Sequence, residues 1–124
     1  MPIEWSKNPR FEDLEIAMRR GKCRNGNHRV LVGAAAIRCY HFNTCVLELD
    51  REDMIITDHG TYGWSVSTSK AIGQYLDALV RKRLITRGSA NVAAWRIHKN
   101  QKGTYDEAAS WYFVKAPKAR VRKA

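Results

Sequence analysis

No stretch of this 124-residue sequence reaches the run of about 18 to 20 apolar residues that a membrane-crossing helix needs. The opening residues, Met1-Pro2-Ile3-Glu4-Trp5-Ser6, lack the apolar core of a secretory signal. The sequence therefore predicts a cytoplasmic protein with no membrane partner. Cysteine is sparse and odd in number: Cys23, Cys39 and Cys45 lie at irregular spacing, which argues for reduced thiols rather than a disulfide framework. There is no GxxxxGK[ST] sequence to cradle a phosphate, and Ser65, Ser67, Thr68 and Ser69 lack the glycine framing of a nucleophile elbow. Acid is scarce relative to base. Twelve Asp and Glu face 22 Lys and Arg, a net charge of +10, and Asp77 is the single acid between His59 and Tyr105. Such a surplus sets up a positive field that favours nucleic acid or an acidic protein surface, and it excludes a mimic of nucleic acid.

What is present fits one ordinary domain. The hydrophobic fraction of 44% and the charged fraction of 27% are near globular averages, and the length suffices for one core but not comfortably for two. We read residues 1–114 as a single compact domain and 115–124 as a basic tail. That tail carries Lys115, Lys118, Arg120, Arg122 and Lys123 without an acid, so it stays solvated until a partner orders it.

The elements follow from caps and periodicity. Residues 1–7 read as an extended lead. Asn8-Pro9 opens a helix over about 9–20, with Phe11, Leu14, Ala17 and Met18 on one face and Gly21 at its end. Gly21 to Asn27 reads as a polar loop turning at Asn25-Gly26. A meander follows: Val30 to Val32, then Ala34 to Phe42 with Ile37, Cys39 and His41 on one face, then Cys45, Leu47 and Leu49 alternating with Val46, Glu48 and Asp50. The charged turn Asp50-Arg51-Glu52-Asp53 leads to Met54 to Thr57. Trp64 and Val66 are expected to share a face of a further strand, with Ser67 or Thr68 capping the main helix, about 69–83, whose stripe is Ile72, Tyr75, Leu76, Leu79 and Val80. Gly73 inside it implies close approach of another backbone. Arg87-Gly88-Ser89 reads as a break. Two strands, Val92 to His98 and Ser110 to Lys115, then flank a long hairpin loop. The sum is α+β: an antiparallel sheet of five to seven short strands with the main helix packed on it and the N-terminal helix beside it.

Residues 53–80 also carry a likeness. Asp53-Met54-Ile55-Ile56-Thr57, then Gly63-Trp64, Val66-Ser67-Thr68-Ser69-Lys70, Ile72 and Tyr75-Leu76 resemble the core of a small bacteriophage-encoded domain of unknown function, over about residues 30–80. Tyr62 stands where that group has a first glycine. The resemblance implies a phage origin and supplies no activity.

The chemistry-bearing residues sort by spacing. Cys23, His28, Cys39, His41 and Cys45 include the ligand types zinc prefers, but only the last three lie close, on strands rather than a knuckle. Asp50, Glu52, Asp53, Asp58 and His59 are raw material for metal-dependent hydrolysis, yet two hairpin turns account for them. We expect no enzyme, no metal and no cofactor. Basic and aromatic residues are the stronger signal. Lys70, Arg81, Lys82, Arg83, Arg87, Arg96, Lys99 and Lys102 dominate the second half, and Tyr62, Trp64, Trp95, Tyr105, Trp111 and Tyr112 offer stacking surfaces. The predicted function is a non-enzymatic nucleic-acid-binding accessory protein, phage-encoded. Its phosphate contacts are placed at Lys70, Arg81, Lys82, Arg83, Arg87, Lys115, Lys118, Arg120, Arg122 and Lys123. The alternative is an inhibitor or modulator of a host or anti-phage defence factor, docking on an acidic host protein, with Trp111-Tyr112-Phe113-Val114 as its exposed edge.

Overall fold

Asn8 caps the first helix, α1 (Pro9–Arg20): its Oδ1 accepts the N–H of Arg10 at 3.0 Å, and Pro9 occupies a position that needs no N–H. Gly21 ends the helix at φ 89°, where a side chain would be strained, and its N–H donates to the Ala17 carbonyl. In the computed structural model, which describes residues 7–59, 66–102 and 110–118, the chain continues as β1 (Lys22–Asn25), β2 (His28–Val32), β3 (Ala36–His41), β4 (Thr44–Asp50) and β5 (Ile55–Asp58). Then come α2 (Val66–Arg81), α3 (Arg87–Lys102) and β6 (Trp111–Phe113). The six strands form one antiparallel sheet in chain order, so the class is α+β.

Period-two alternation decides which sheet face is covered. Val30, Cys39 and Leu47 form one transverse row, and Val32, Ile37, Leu49, Ile56 and Tyr112 the next. Nearly all are buried, and against them lie Leu14 and Ala17 of α1, Ile72, Tyr75, Leu76 and Leu79 of α2, and Ala90, Ala93 and Ile97 of α3. Each fully buried large aliphatic or aromatic side chain contributes about 1.5 to 3 kcal/mol to this core. The alternation expected along β4 breaks at Val46. Cys39 pairs with Leu47 but Tyr40 with Cys45, so Val46 is the extra residue of a bulge and is buried beside Leu47. The opposite sheet face is covered by no described helix.

One end of the core is polar. Arg10 and Asp13, both nearly inaccessible, pair at 2.8 Å beneath β1, and Asn25 Nδ2 donates to Asp13 at 3.0 Å. His28 and His41 face each other across β2 and β3 with rings 5.2 Å apart, and Thr68 lies 3.3 Å from His41 Nδ1. Burial, and then the Arg10 charge, lower both imidazoles below the ordinary histidine pKa. The Tyr75 hydroxyl donates to the Tyr40 carbonyl and so fastens α2 to the sheet.

Several expectations need correction. Residues 92–98 are not a strand but the middle of α3. Arg87-Gly88-Ser89 is no break: it is the first turn of that helix, with Thr86 Oγ1 accepting the Ser89 N–H at 3.2 Å. The supposed hairpin loop therefore begins inside a helix, Lys99–Lys102 being its last turn. The supposed loop 21–27 contains β1, whose turn at Gly26, φ 60°, is where the sequence places it. Val66 starts α2 rather than lying on a strand, so Ser67 and Thr68 sit within the first turn and not at the cap. Among the described residues, nothing beyond its own stretch of helix lies within 4 Å of the position a Cβ of Gly73 would occupy, so no described backbone from elsewhere approaches it. The extended lead through Ser6, Trp64, and loop positions 103–109 lie outside the described residues.

Candidate nucleic-acid interface

α3 is amphipathic in an unusual way. Its buried positions, Ala90, Ala93, Ile97 and Gln101, recur at three- and four-residue spacing, but all except Ile97 are small or polar, while the large Trp95 points outward at 61% exposure. β6 alternates likewise: Tyr112 and Val114 are buried, and Trp111 and Phe113 are exposed at 47% and 72%. The two elements are tied at both ends. Gln101 Nε2 donates to both carboxyl oxygens of the buried Asp58, whose N–H donates to the Ser110 carbonyl just before β6. At the other end the Thr86 N–H donates to the Lys115 carbonyl, and the Lys115 N–H to Ser89 Oγ at 2.9 Å. The first residue of the expected free tail is therefore anchored by the chain itself.

Between these anchors lies an open groove of about 620 Å³, lined by Trp95, Arg96, Lys99 and Asn100 of α3 and by Trp111 and Phe113 of β6. Lys99 Nζ stands 4.6 Å from the centre of the Trp95 ring, a cation–π contact, and Trp111 and Phe113 meet edge to face at 5.3 Å. Arg96 and Lys99 pair with no acid among the described residues. Apolar ring faces beside uncommitted cations can stack bases and neutralise phosphates together.

The residues expected to bind phosphate are differently placed. Asp77 gathers Arg81 and Arg87, each at 2.7 Å, and accepts from Asn8 Nδ2 at 2.9 Å. Partial burial pushes the Asp77 carboxyl up, but the hydrogen bonds from Arg87 and Asn8 and the Arg81 and Arg87 charges outweigh it and hold the pKa below its ordinary value. Lys82 lies 3.6 Å from Glu15 of α1. Arg83 is exposed at φ 62° where α2 ends, and the anchor at Thr86 brings the Lys115 backbone into this corner beside Arg87. Lys118 is exposed, and Lys70 is exposed about 16 Å along α2 from Arg81. Arg120, Arg122 and Lys123 lie outside the described residues, as do Tyr62, Trp64 and Tyr105 among the stacking candidates. Tyr112 is buried and offers no stacking surface. Phe113, known in the sequence only as part of an apolar run, is the most exposed large hydrophobic described.

The acids of the expected hydrolytic cluster are spread along one hairpin. Asp50 and Asp58 stand at opposite ends of the β4–β5 hairpin, Asp50 Oδ1 accepting the N–H groups of Glu52 and Asp53 and Asp58 accepting from Gln101. Among the described residues no three His, Cys, Asp or Glu side chains gather as a metal-binding group. No helix described is long and apolar enough to cross a membrane. Neither a protein-family model, nor a curated protein, nor a solved structure matches this chain.

Proposed function

We propose that this is a non-enzymatic nucleic-acid-binding accessory protein, phage-encoded as the likeness over residues 30–80 implies, acting in the host cytoplasm. The observation that carries the reading is the meeting of exposed Trp95, Trp111 and Phe113 in one groove with Arg96 and Lys99, which pair with no acid among the described residues. Arg81, Lys82, Arg83, Arg87, Lys115 and Lys118 supply a basic rim, Arg120, Arg122 and Lys123 follow in the sequence, and Lys70 contributes only long-range field. Binding of labelled single- and double-stranded DNA and RNA across a salt series tests it. Affinity falls steeply as salt rises, and Arg96→Glu with Lys99→Glu abolishes it at moderate salt. Absence of binding to every probe at low salt refutes the reading.

One observation favours the rival, a modulator docking on an acidic host or anti-phage protein. Val114 bonds to Met54 and Ser110 to Asp58, so the backbone N–H and C=O groups of Trp111 and Phe113 point the other way, toward an edge that no described strand pairs and that is able to accept a partner strand.

A further inference from the structure

Trp111 and Phe113 wall two depressions rather than one. On the α3 side they line the groove. On the other they line a hollow of about 520 Å³ on the sheet face that no described helix covers, with Glu48, Asp50, Ile55 and Thr57. From that hollow the face continues across the sheet. Lys22, Leu31, Arg38, Glu48, Thr57 and Trp111 share one transverse row, and Arg24, Arg29 and Tyr40 share the next. The first three strands contain four cations, all on this face, and no acid. Of the acids on β4, Glu48 is engaged by Arg38 at 3.2 Å and His59 at 3.1 Å, and Asp50 Oδ1 accepts two backbone N–H groups. The Arg29 guanidinium stacks 4.2 Å over the Tyr40 ring, giving the far half of the face an aromatic platform of its own.

We infer that the ligand is a single strand, RNA or DNA, that leaves the α3–β6 groove, crosses the Trp111–Phe113 edge and runs over the uncovered sheet face to the Arg29–Tyr40 pair. The inference rests on the nucleic-acid reading above and narrows it. Complementary charge on the first three strands selects a polyanion, and spaced aromatic faces select unpaired bases. The path itself rejects a duplex. Passing from groove to sheet face means turning around one strand edge, while a double helix has a persistence length of about 50 nm. From β6 to β1 the face spans about 24 Å, five inter-strand gaps, so a long oligonucleotide reaches contacts that a short one cannot.

Fluorescence anisotropy with single strands of about 4 and about 12 nucleotides, in RNA and DNA, and with the matching 12-base-pair duplex tests this. The longer strand binds at least about tenfold more tightly than the duplex. Arg24→Glu with Arg38→Glu, both exposed positions, weakens the longer strand by about tenfold and leaves the shorter within about twofold, whereas Trp111→Ala weakens both. Unchanged circular dichroism and melting temperature confirm that the variants fold. Equal affinity for duplex and single strand, or a sheet-face variant that binds both lengths like the parent, overturns the inference while leaving nucleic-acid binding standing. Failure of every probe at low salt overturns both. Sedimentation as a dimer whose Trp111 is shielded from iodide quenching gives the face to a second copy and also overturns it.

Discussion

Gln101 Nε2 donates to both carboxyl oxygens of Asp58, at 2.8 and 3.0 Å, across 43 positions of sequence and with both side chains buried. The pair joins the last turn of α3 to the end of β5. Because the Asp58 N–H also holds Ser110, both walls of the groove hang from this one residue. Gln101→Ala removes the donor and leaves a buried carboxyl group short of partners, at a cost of about 1 to 3 kcal/mol in urea unfolding. Amide exchange in β6 rises in the same variant. A shift below about 0.5 kcal/mol would show that the pair does not hold the walls.

Asp77→Ala separates stability from binding. It strips Asn8, Arg81 and Arg87 of their common acceptor, which lowers stability by about 1 kcal/mol. It also frees two guanidinium groups at the basic rim, so affinity for nucleic acid rises and its salt dependence steepens. Weaker binding in a variant that still melts cooperatively would place the rim outside the interface.

Acid acts through His28 and His41. Burial and Arg10 lower the His28 and His41 pKa values in the folded chain, so the unfolded chain takes up protons that the folded chain refuses. Stability is complete above the unfolded value of about 6.5 and falls as pH drops below it. The urea midpoint at pH 5.5 is lower than at pH 7.5, and His41→Gln narrows the difference. Asp77 acts in the same direction at lower pH: its folded pKa is depressed, so its contribution is present above the unfolded carboxyl range and lost as pH falls through the folded value.

Aromatic truncations divide by side. Trp95→Ala and Trp111→Ala leave stability within about 0.5 kcal/mol. Each weakens single-strand binding by about 1 to 3 kcal/mol, the range for one stacked base. Tyr112→Ala, from the buried side of the same strand, costs about 3 kcal/mol of stability by opening a cavity. Equal loss of stability at all three positions would mean that Trp95 and Trp111 are packed rather than presented.

How much of this could be read from residues alone depended on how each element earns its place. α1 was legible because Asn8, Pro9, the Leu14 and Ala17 stripe and Gly21 all specify the same helix. The α2 stripe was legible because its buried positions are large and apolar. α3 was not: Val92 and Trp95, the residues that suggested a strand, are exposed, and the stripe that packs is Ala90, Ala93, Ile97 and Gln101. β1 escaped because an edge strand of Lys, Cys, Arg and Asn has the polarity of a loop, with only Cys23 turned partly inward. At the candidate site, Trp95, Arg96, Lys99 and Trp111 were visible as residue types. Their convergence was not, because it depends on a helix that the reading of Val92 to His98 as a strand concealed and on a pairing far away in sequence.

That pairing sets the order in which the protein acquires its surface. β1 to β5 are joined by turns of a few residues and close at small entropic cost, whereas Phe113 meets Ile55 across 113 − 55 = 58 positions. During synthesis the meander and both later helices are complete before Trp111 emerges. The aromatic wall is thus the last piece installed, and a chain caught short of that final closure has most of a core but lacks the Trp111–Phe113 side of the groove.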